Sequence, residues 1–305
     1  MSQNFLLSIA RRASYPFAVL VFAACVHEPP VTAPPADLSS AVASFRQVAP
    51  GDALVVAAGD IADCSRLAAA RATAALVAAL PDATVLTLGD NAYPDGSPSD
   101  FARCYEPTWG AFKARTRPSP GNHEGHTSGS SGYFSYFGVS PYYSFDLGAW
   151  HLVSLDSQID IGPASPQVQW LQRDLDATAK PCILAYWHHP RWSSGLHGLQ
   201  PGDRGRSTGA LWSVLIAHRA TLVLNGHDHD YERFAPRDGI REIVAGTGGA
   251  APRRFGHTAA GSEVRVARQH GVLVLALHPH SYAWRFVGID GRIYDASAHE
   301  EPCSR

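Results

Sequence analysis

The sequence predicts an α/β fold in which two sheets pack against each other. Over the first two thirds of the chain, apolar runs typical of buried strands alternate with helical segments. An example is Ala53–Ala58, followed by the Ala- and Leu-rich stretch 66–80. The last third adds three strand-like runs, at 242–245, 272–277 and 282–287. Alternating strands and helices followed by a strand-rich end indicate two packed sheets.

The remaining elements follow from hydrophobic pattern and from proline positions. Pro81 ends the first helix, because proline lacks the backbone N–H that a continuing helix needs. Apolar runs predict further strands at 84–88, 142–147, 151–155, 183–187 and 221–224. Helical composition or periodicity predicts helices at 100–114, 167–178 and 208–218. The connecting loops at 91–98, 127–132 and 193–209 are rich in Gly, Ser and Pro.

The composition is that of an ordinary globular protein. The chain has 305 residues, enough for one large domain or two small ones, and 45% of them are hydrophobic while 17% are charged. The formal net charge of -2 does not favour nucleic acid or a charged membrane surface as the main partner. Neither a nucleic-acid specificity nor a protein partner is evident.

Residues 1–25 have the features of a secretory signal peptide. Arg11 and Arg12 precede a short apolar run, 17–24, which ends in small residues before Cys25. The run is far shorter than the roughly 20 residues that a membrane-spanning helix needs. We expect a lipoprotein signal, in which a lipidated Cys25 tethers the protein to a membrane. The alternative is an ordinary cleaved signal in which Cys25 is incidental.

A Pro-rich linker, 26–50, separates the signal from the predicted catalytic domain, 51–305. The linker contains two pairs of adjacent prolines, which favour a stiff, extended chain. Signal and linker together predict an exported protein of the periplasm or cell envelope.

The cysteines also favour an oxidising compartment. Apart from Cys25 the chain has Cys64, Cys104, Cys182 and Cys303, which allow three pairings. We expect Cys64 to pair with Cys104, because both follow predicted active-site strands in the same half of the fold. Cys182 then pairs with Cys303 and holds the C-terminal tail. No C-x-x-C spacing supports a metal site, and free buried thiols remain the alternative.

Five short blocks after predicted apolar strands carry side chains of metal-binding type. They are Gly59-Asp60, Gly89-Asp90-Asn91-Ala92-Tyr93, Gly121-Asn122-His123-Glu124, His188-His189-Pro190 and Gly226-His227-Asp228-His229. Each block alone is weak evidence, because a Gly-Asp pair is usually a turn and a single His is usually an ordinary loop residue. All five in this order favour a metal site at the carboxyl ends of the strands.

Over 53–249 the blocks resemble the signature of the calcineurin-like metallophosphoesterases. In that family the first block is Asp-x-His and its His binds metal, whereas this chain has Ala62 there. Purple acid phosphatases lack the same His and use a Tyr three residues after the second Asp, where this chain has Tyr93. The sequence therefore resembles the purple acid phosphatase branch. The resemblance implies a four-layer α/β/β/α sandwich of two mixed sheets.

The resemblance also implies two metal ions and their ligands. Asp60, Tyr93 and His229 would bind the first metal, and Asn122, His188 and His227 the second. Asp90 would bridge the two. Tyrosinate is a hard anionic ligand, so the first metal would be Fe(III) and the second a divalent Fe, Zn or Mn ion.

Further polar residues near the blocks have candidate roles. His123 resembles the family His that stabilises the transition state or protonates the leaving alkoxide, with Glu124 orienting it. The alternative is that His123 does not contact the substrate and instead supports a metal ligand. His197 occupies about the position of a second phosphate-contacting His, or is a solvated loop His. We expect His189 to support a neighbouring ligand. Four further residues could either contact the substrate or form local ion pairs: Asp63, Arg191, Arg204 and Arg206.

The function implied is hydrolysis of phosphate monoesters by attack of a metal-bound hydroxide. The partner is then a small phosphoester substrate. One alternative is a phosphodiesterase or nucleotide hydrolase on the same metals. Another is an envelope binding module that keeps the metals without catalysis.

Overall fold

The computed structural model describes residues 52–199 and 208–305. The predicted signal, 1–25, and linker, 26–50, lie outside the described residues, as do Arg204 and Arg206. Within the described residues, no helix is both long enough and apolar enough to cross a bilayer.

Two seven-stranded sheets form the centre of the fold. The first contains, in spatial order, β15 (Ile293–Ala296), β14 (Ser281–Gly288), β13 (Gly271–Leu277), β1 (Ala53–Ala58), β3 (Thr84–Leu88) and β5 (Thr116–Ser119), with β16 (Glu301–Pro302) pairing with β14. The second contains β12 (Ser262–Val266), β10 (Tyr231–Phe234), β11 (Arg241–Ala245), β9 (Leu222–Asn225), β8 (Cys182–Tyr186), β7 (Trp150–Ser154) and β6 (Tyr143–Leu147). A small parallel pair joins β2 (Ala62–Asp63) to β4 (Ala92–Tyr93).

Helices flank the sheets. They are α1 (Leu67–Ala78), α2 (Pro98–Asp100), α3 (Ser131–Phe137), α4 (Pro166–Ala177) and α5 (Gly209–Ala217). Shorter turns are the π-helical Phe101–Tyr105 and the 3-10 turns Gly110–Arg115, Glu124–His126, Ser128–Ser130 and His197–Leu199. Both sheets are mixed, because β1, β3 and β5 run parallel to one another, as do β7, β8, β9 and β11, while antiparallel strands complete each sheet.

Three hydrophobic clusters separate four layers. In β1, Val55 and Ala57 belong to the cluster between the two sheets, while Val56 and Ala58 belong to the cluster under α1. Burial on both faces explains why this strand is a continuous apolar run. A third cluster lies between the second sheet and the helices α4 and α5. The α/β/β/α sandwich is therefore confirmed.

The prediction of one continuous helix over 100–114 is wrong. The chain instead forms α2, then the π-helical turn Phe101–Tyr105, and later the 3-10 turn Gly110–Arg115. The break contains Pro107, which lacks the N–H that an α-helix would use. In the π-helical turn the amide of Glu106 donates to the carbonyl of Phe101 at 2.8 Å.

The strand before Asn122 is not apolar, contrary to expectation. It is β5, with the sequence Thr-Arg-Pro-Ser, at the edge of the first sheet. Pro118 is tolerated there, because the outer side of an edge strand has no neighbour that requires a backbone N–H. Hydrophobic pattern alone therefore could not find this strand.

Both predicted disulfides are confirmed. The Cα atoms of Cys64 and Cys104 lie 5.2 Å apart, and those of Cys182 and Cys303 lie 5.4 Å apart. The first bond ties the turn after β2 to the turn that contains Cys104. The second fastens the C-terminal segment to the first residue of β8.

Candidate metal centre

The predicted metal-binding blocks meet at one edge of the two sheets. Asp60, Asp90 and Asn122 follow the parallel strands β1, β3 and β5, while His188 and His227 follow the parallel strands β8 and β9. Carboxyl ends of parallel strands share one edge of a sheet, and packing of the two sheets brings both edges together. The structure accordingly brings all seven predicted ligands into contact range of at least one other.

The backbone at three of these residues is left-handed. Asp60, Asp90 and His227 have φ angles of 59°, 49° and 74°. A non-glycine residue rarely adopts this region, although Asp, Asn and His are the side chains that tolerate it best. Such backbone strain clusters at functional sites, where the surroundings hold it in place.

One group of donor atoms surrounds the hydroxyl of Tyr93. This hydroxyl donates to Asp60 Oδ1 at 2.9 Å and to Asp90 Oδ2 at 3.0 Å, and lies 3.3 Å from His229 Nε2. His229 Nδ1 donates to the carbonyl of Ala251 at 2.7 Å. That bond fixes the ring so that Nε2 points at the carboxylates, as metal-ligating histidines are commonly held.

A second group surrounds Nε2 of His188. This atom lies 3.0 Å from Asn122 Oδ1, 3.2 Å from His227 Nδ1 and 3.3 Å from Asp90 Oδ2. His188 Nδ1 donates to the carbonyl of Leu88 at 2.8 Å, so its other nitrogen is directed into the group. Asp90 Oδ2 therefore belongs to both groups.

These donors fit a metal ion. One ligand atom from each of Asp60, Asp90 and His188 lies within 4.8 Å of the others, and all three residues are buried. Mixed carboxylate, imidazole, amide and phenol donors suit Fe, Zn or Mn. Buried carboxylates without water require a compensating positive charge, which a cation would supply.

Without a cation, protonated side chains supply that charge. Burial opposes ionisation of Asp90 and Asp60, but the neighbouring His188 and His229 hold the pKa of each carboxyl below its usual value. Burial also opposes the charge of His188, yet the carboxylates of Asp90 and Asp60 raise its pKa to about 9. Burial and the same two carboxylates raise the pKa of Tyr93 well above its usual value. A metal entering here must displace these protons.

His123 lies at the rim of the two groups. Its backbone N–H donates to Asp90 Oδ1 at 2.9 Å, and its ring lies 4.2 Å from the ring of Tyr93. Nδ1 donates to the carbonyl of Pro94, and Nε2 lies 3.8 Å from Asp90 Oδ2. The side chain is 28% exposed, and Nε2 is the ring nitrogen that faces the site.

The predicted role of Glu124 is wrong. Its carboxylate does not orient His123 but accepts the backbone N–H groups of Asn91 at 2.8 Å, Ala92 at 3.2 Å and Gly121 at 2.7 Å. Burial, followed by the charge of Asp90, raises the pKa of Glu124 to about 7. Glu124 thus joins the second and third blocks, and His123 is oriented by Pro94 and Asp90.

His197 and His189 lie beside His227. Each of their rings is 4.3 Å from the His227 ring. His189 Nδ1 is 2.8 Å from Ser157 Oγ, which agrees with a supporting role. Arg191 lies over Trp192, 5.1 Å from the ring centre, and Asp63 pairs with Arg66 at 3.2 Å.

Three buried carboxylates, to which the sequence assigns no role, hold the loop after His188. Glu242 accepts the backbone N–H groups of Arg191 at 2.7 Å and Trp192 at 3.2 Å. Glu232 accepts that of Ser194 at 2.7 Å, and Asp228 that of His197 at 3.0 Å. Burial raises the pKa of Glu242 to about 8. Only tertiary contacts reveal these roles, because nothing in the spacing of the acidic residues indicates them.

A cleft of about 380 Å³ opens beside this loop. Its lining includes His189, Trp192, His197, His227 and His257. The cleft therefore adjoins the His227 side of the second donor group and offers space for the part of a ligand that extends away from the donors.

Comparison with known proteins decides the family. The family model for calcineurin-like phosphoesterases matches residues 19–231. The chain belongs to the calcineurin-like phosphoesterase family. The predicted family is thereby confirmed.

Within the family, the chain resembles purple acid phosphatases. It is 31% identical to purple acid phosphatase 21 of Arabidopsis thaliana over 45% of this chain and 37% of the relative. It is 25% identical to tartrate-resistant acid phosphatase type 5 of Sus scrofa over 67% of this chain and 69% of the relative. The match thus spans little more than a third of the plant relative.

A solved structure of similar fold is purple acid phosphatase PPD1 from yellow lupin (Lupinus luteus) seeds. The TM-score is 0.66 at 19% identity, over 80% of this chain and 53% of that chain. At this identity the likeness is one of fold.

We predict that Gly121→Ala destabilises the protein by about 3 kcal/mol, because of overpacking against a rigid partner. A Cβ at Gly121 would lie 2.2 Å from both N and Oδ1 of Asp90. Chemical denaturation measures the change in the free energy of unfolding. The matched control is Gly125→Ala, whose Cβ would meet only Gln158 Oε1 at 3.8 Å. Equal stability of the two variants would contradict the prediction.

Proposed function

We propose that the protein hydrolyses phosphate monoesters at a dinuclear metal centre. The observation that carries this proposal is the position of Asp90 Oδ2, which is shared by the group around Tyr93 and the group around His188. A carboxylate shared by two donor groups suits a bridge between two cations. Membership of the calcineurin-like phosphoesterase family and likeness to acid phosphatases support the same activity.

The chain's own residues would divide between the two metals as the donor groups do. Asp60, Tyr93 and His229 would hold the first, and Asn122, His188 and His227 the second, with Asp90 between them. Bound metals supply Lewis acidity that neutralises phosphate charge and activates water at neutral pH. The phenol oxygen of Tyr93 supports Fe(III) at the first position and a divalent Fe, Zn or Mn ion at the second.

His123 is the proposed general acid. Its Nδ1 proton is committed to the carbonyl of Pro94, so Nε2 is the nitrogen that faces the site. A proton held at Nε2 can pass to the leaving oxygen as the P–O bond breaks. Contacts to Asp90 through both backbone and ring keep His123 aligned with the donor groups.

We also propose export to the periplasm or cell envelope, with Cys25 as the lipidated anchor. The two disulfides support an oxidising compartment. The substrate would then be a small phosphoester that reaches the envelope.

The test of the function is a paired assay of the metal-loaded protein. We expect p-nitrophenyl phosphate to be hydrolysed with a higher kcat/KM than bis(p-nitrophenyl) phosphate, by about tenfold or more. A tenfold preference for the diester would favour a phosphodiesterase. Absence of turnover with either ester, after loading with Fe, Zn and Mn, would favour a binding module.

We predict that His123→Ala lowers kcat by about 10²- to 10⁴-fold, because it removes the proton donor. Metal content, measured by inductively coupled plasma mass spectrometry, should remain at the wild-type level. His299→Ala is the matched control, since His299 is exposed and lies in the C-terminal segment between β15 and β16. Wild-type kcat in His123→Ala would assign the acid role elsewhere.

We predict that the iron-loaded wild type has a visible charge-transfer band that Tyr93→Phe lacks. The phenylalanine retains the ring that packs on His123 but removes the oxygen that contacts Asp60 and Asp90. Absorption spectra at matched iron content measure the effect. The same band in wild type and variant would show that Tyr93 is not a ligand.

A further inference from the structure

The side chain of Arg253 lies beside the candidate metal centre. Its Nη1 donates to Nε2 of His197. The ring of His197 lies 4.3 Å from the ring of His227 and 6.3 Å from the ring of His229. The guanidinium thus adjoins a histidine that lies against one predicted ligand from each donor group.

Backbone contacts hold Arg253 at this position. Its N–H donates to the carbonyl of His229 at 2.9 Å, while His229 Nδ1 donates to the carbonyl of Ala251 at 2.7 Å. The N–H of Ala250 donates to the carbonyl of Asp60 at 2.8 Å. The segment 250–253 is therefore hydrogen-bonded to Asp60 and His229, two predicted ligands of the same metal. These bonds fix the backbone of Arg253 relative to the site.

Arg253 differs from Arg233 and Arg241 of the second sheet in its charge partners. Arg233 pairs with Asp295 at 2.7 Å, and Arg241 with Glu301 at 2.7 Å. Among residues 52–199 and 208–305, no carboxylate forms an ion pair with Arg253. A half-buried guanidinium whose hydrogen-bond partner is an uncharged acceptor retains donors for an anion.

His123 and the Arg253–His197 pair lie against different parts of the site. His123 contacts Asp90 and Tyr93, whereas the Arg253–His197 pair lies against His227 and His229. The two elements therefore contact different ligands of the site. An anion bound over the donor groups would meet His123 on one flank and the pair on the other.

We propose that Arg253 binds a non-bridging oxygen of the substrate phosphoryl group. The proposal rests on the proposed function, since the phosphoryl group is that of the ester. Arg253 keeps His197 with Nε2 as an acceptor, so Nδ1 is the nitrogen of His197 that carries a proton. Charge-assisted hydrogen bonds from a guanidinium to phosphate are among the strong ones in proteins, and lysine cannot reproduce their planar geometry.

The test is calorimetric titration of metal-loaded protein with inorganic phosphate. It needs no turnover, and metal content is measured on the same samples. We expect Arg253→Met to weaken phosphate binding by about tenfold or more, and Arg253→Lys to recover part of the loss. Arg254→Met is the matched control, because Arg254 is the next residue and is exposed. Its affinity should equal that of the wild type.

Three outcomes would overturn the proposal. They are wild-type affinity in Arg253→Met, absence of phosphate binding by the metal-loaded wild type, and a loss of metal that accounts for the lost affinity of Arg253→Met. Such a loss of metal would show that Arg253 stabilises the metal centre and does not bind phosphate itself. Failure of the proposed function gives a different result, since the wild type would then bind phosphate without hydrolysing esters.

Discussion

The site depends on the buried carboxylate of Asp90, which contacts both groups of donor atoms. Its Oδ2 contacts Tyr93 and His188, and its Oδ1 accepts the backbone N–H of His123. Burying this charge costs free energy unless positive charge or hydrogen bonds surround it. Protons on Tyr93, His188 and His229, whose pKa values are all raised beside the carboxylates, meet that need. Cations would meet it in the loaded protein, so metal binding and proton release are linked.

Backbone segments pack closely around the carboxylates of Asp90 and Asp60. Gly121 and Gly226 lie so close to Asp90 and Asp60 that a Cβ would come within 3 Å of a carboxylate oxygen. Glu124 then joins the second and third blocks through three backbone N–H groups. Glycine and a buried acceptor thus hold the blocks at a spacing that the ligand side chains alone could not maintain.

The local parts of this arrangement can be predicted from the sequence. Apolar strands such as β1 and β3 end directly in Gly-Asp, and chemistry restricts metal ligands to few residue types. The edge strand β5 was missed because its Thr-Arg-Pro-Ser sequence has no apolar pattern. The sequence does not reveal the contacts of Glu124, Glu232 and Arg253, because they join segments distant in the chain. Periodicity carries no signal for such contacts.

The small pair of strands β2 and β4 brings Tyr93 to Asp60, whereas Ala62 offers no donor atom. Strands β2 and β4 run parallel, with Ala62 opposite Ala92 and Asp63 opposite Tyr93. Successive side chains of a strand point to opposite faces, so Tyr93 shares a face of this pair with Asp63, while Ala62 shares the other face with Ala92. Ala62 and Ala92 are both fully buried, so their face of the pair is turned to the protein interior. Tyr93 instead carries its oxygen to within 2.9 Å of Asp60 Oδ1. Positions 62 and 93 therefore face different surroundings, and the proposed ligand role of Tyr93 rests on its own contacts with Asp60 and Asp90.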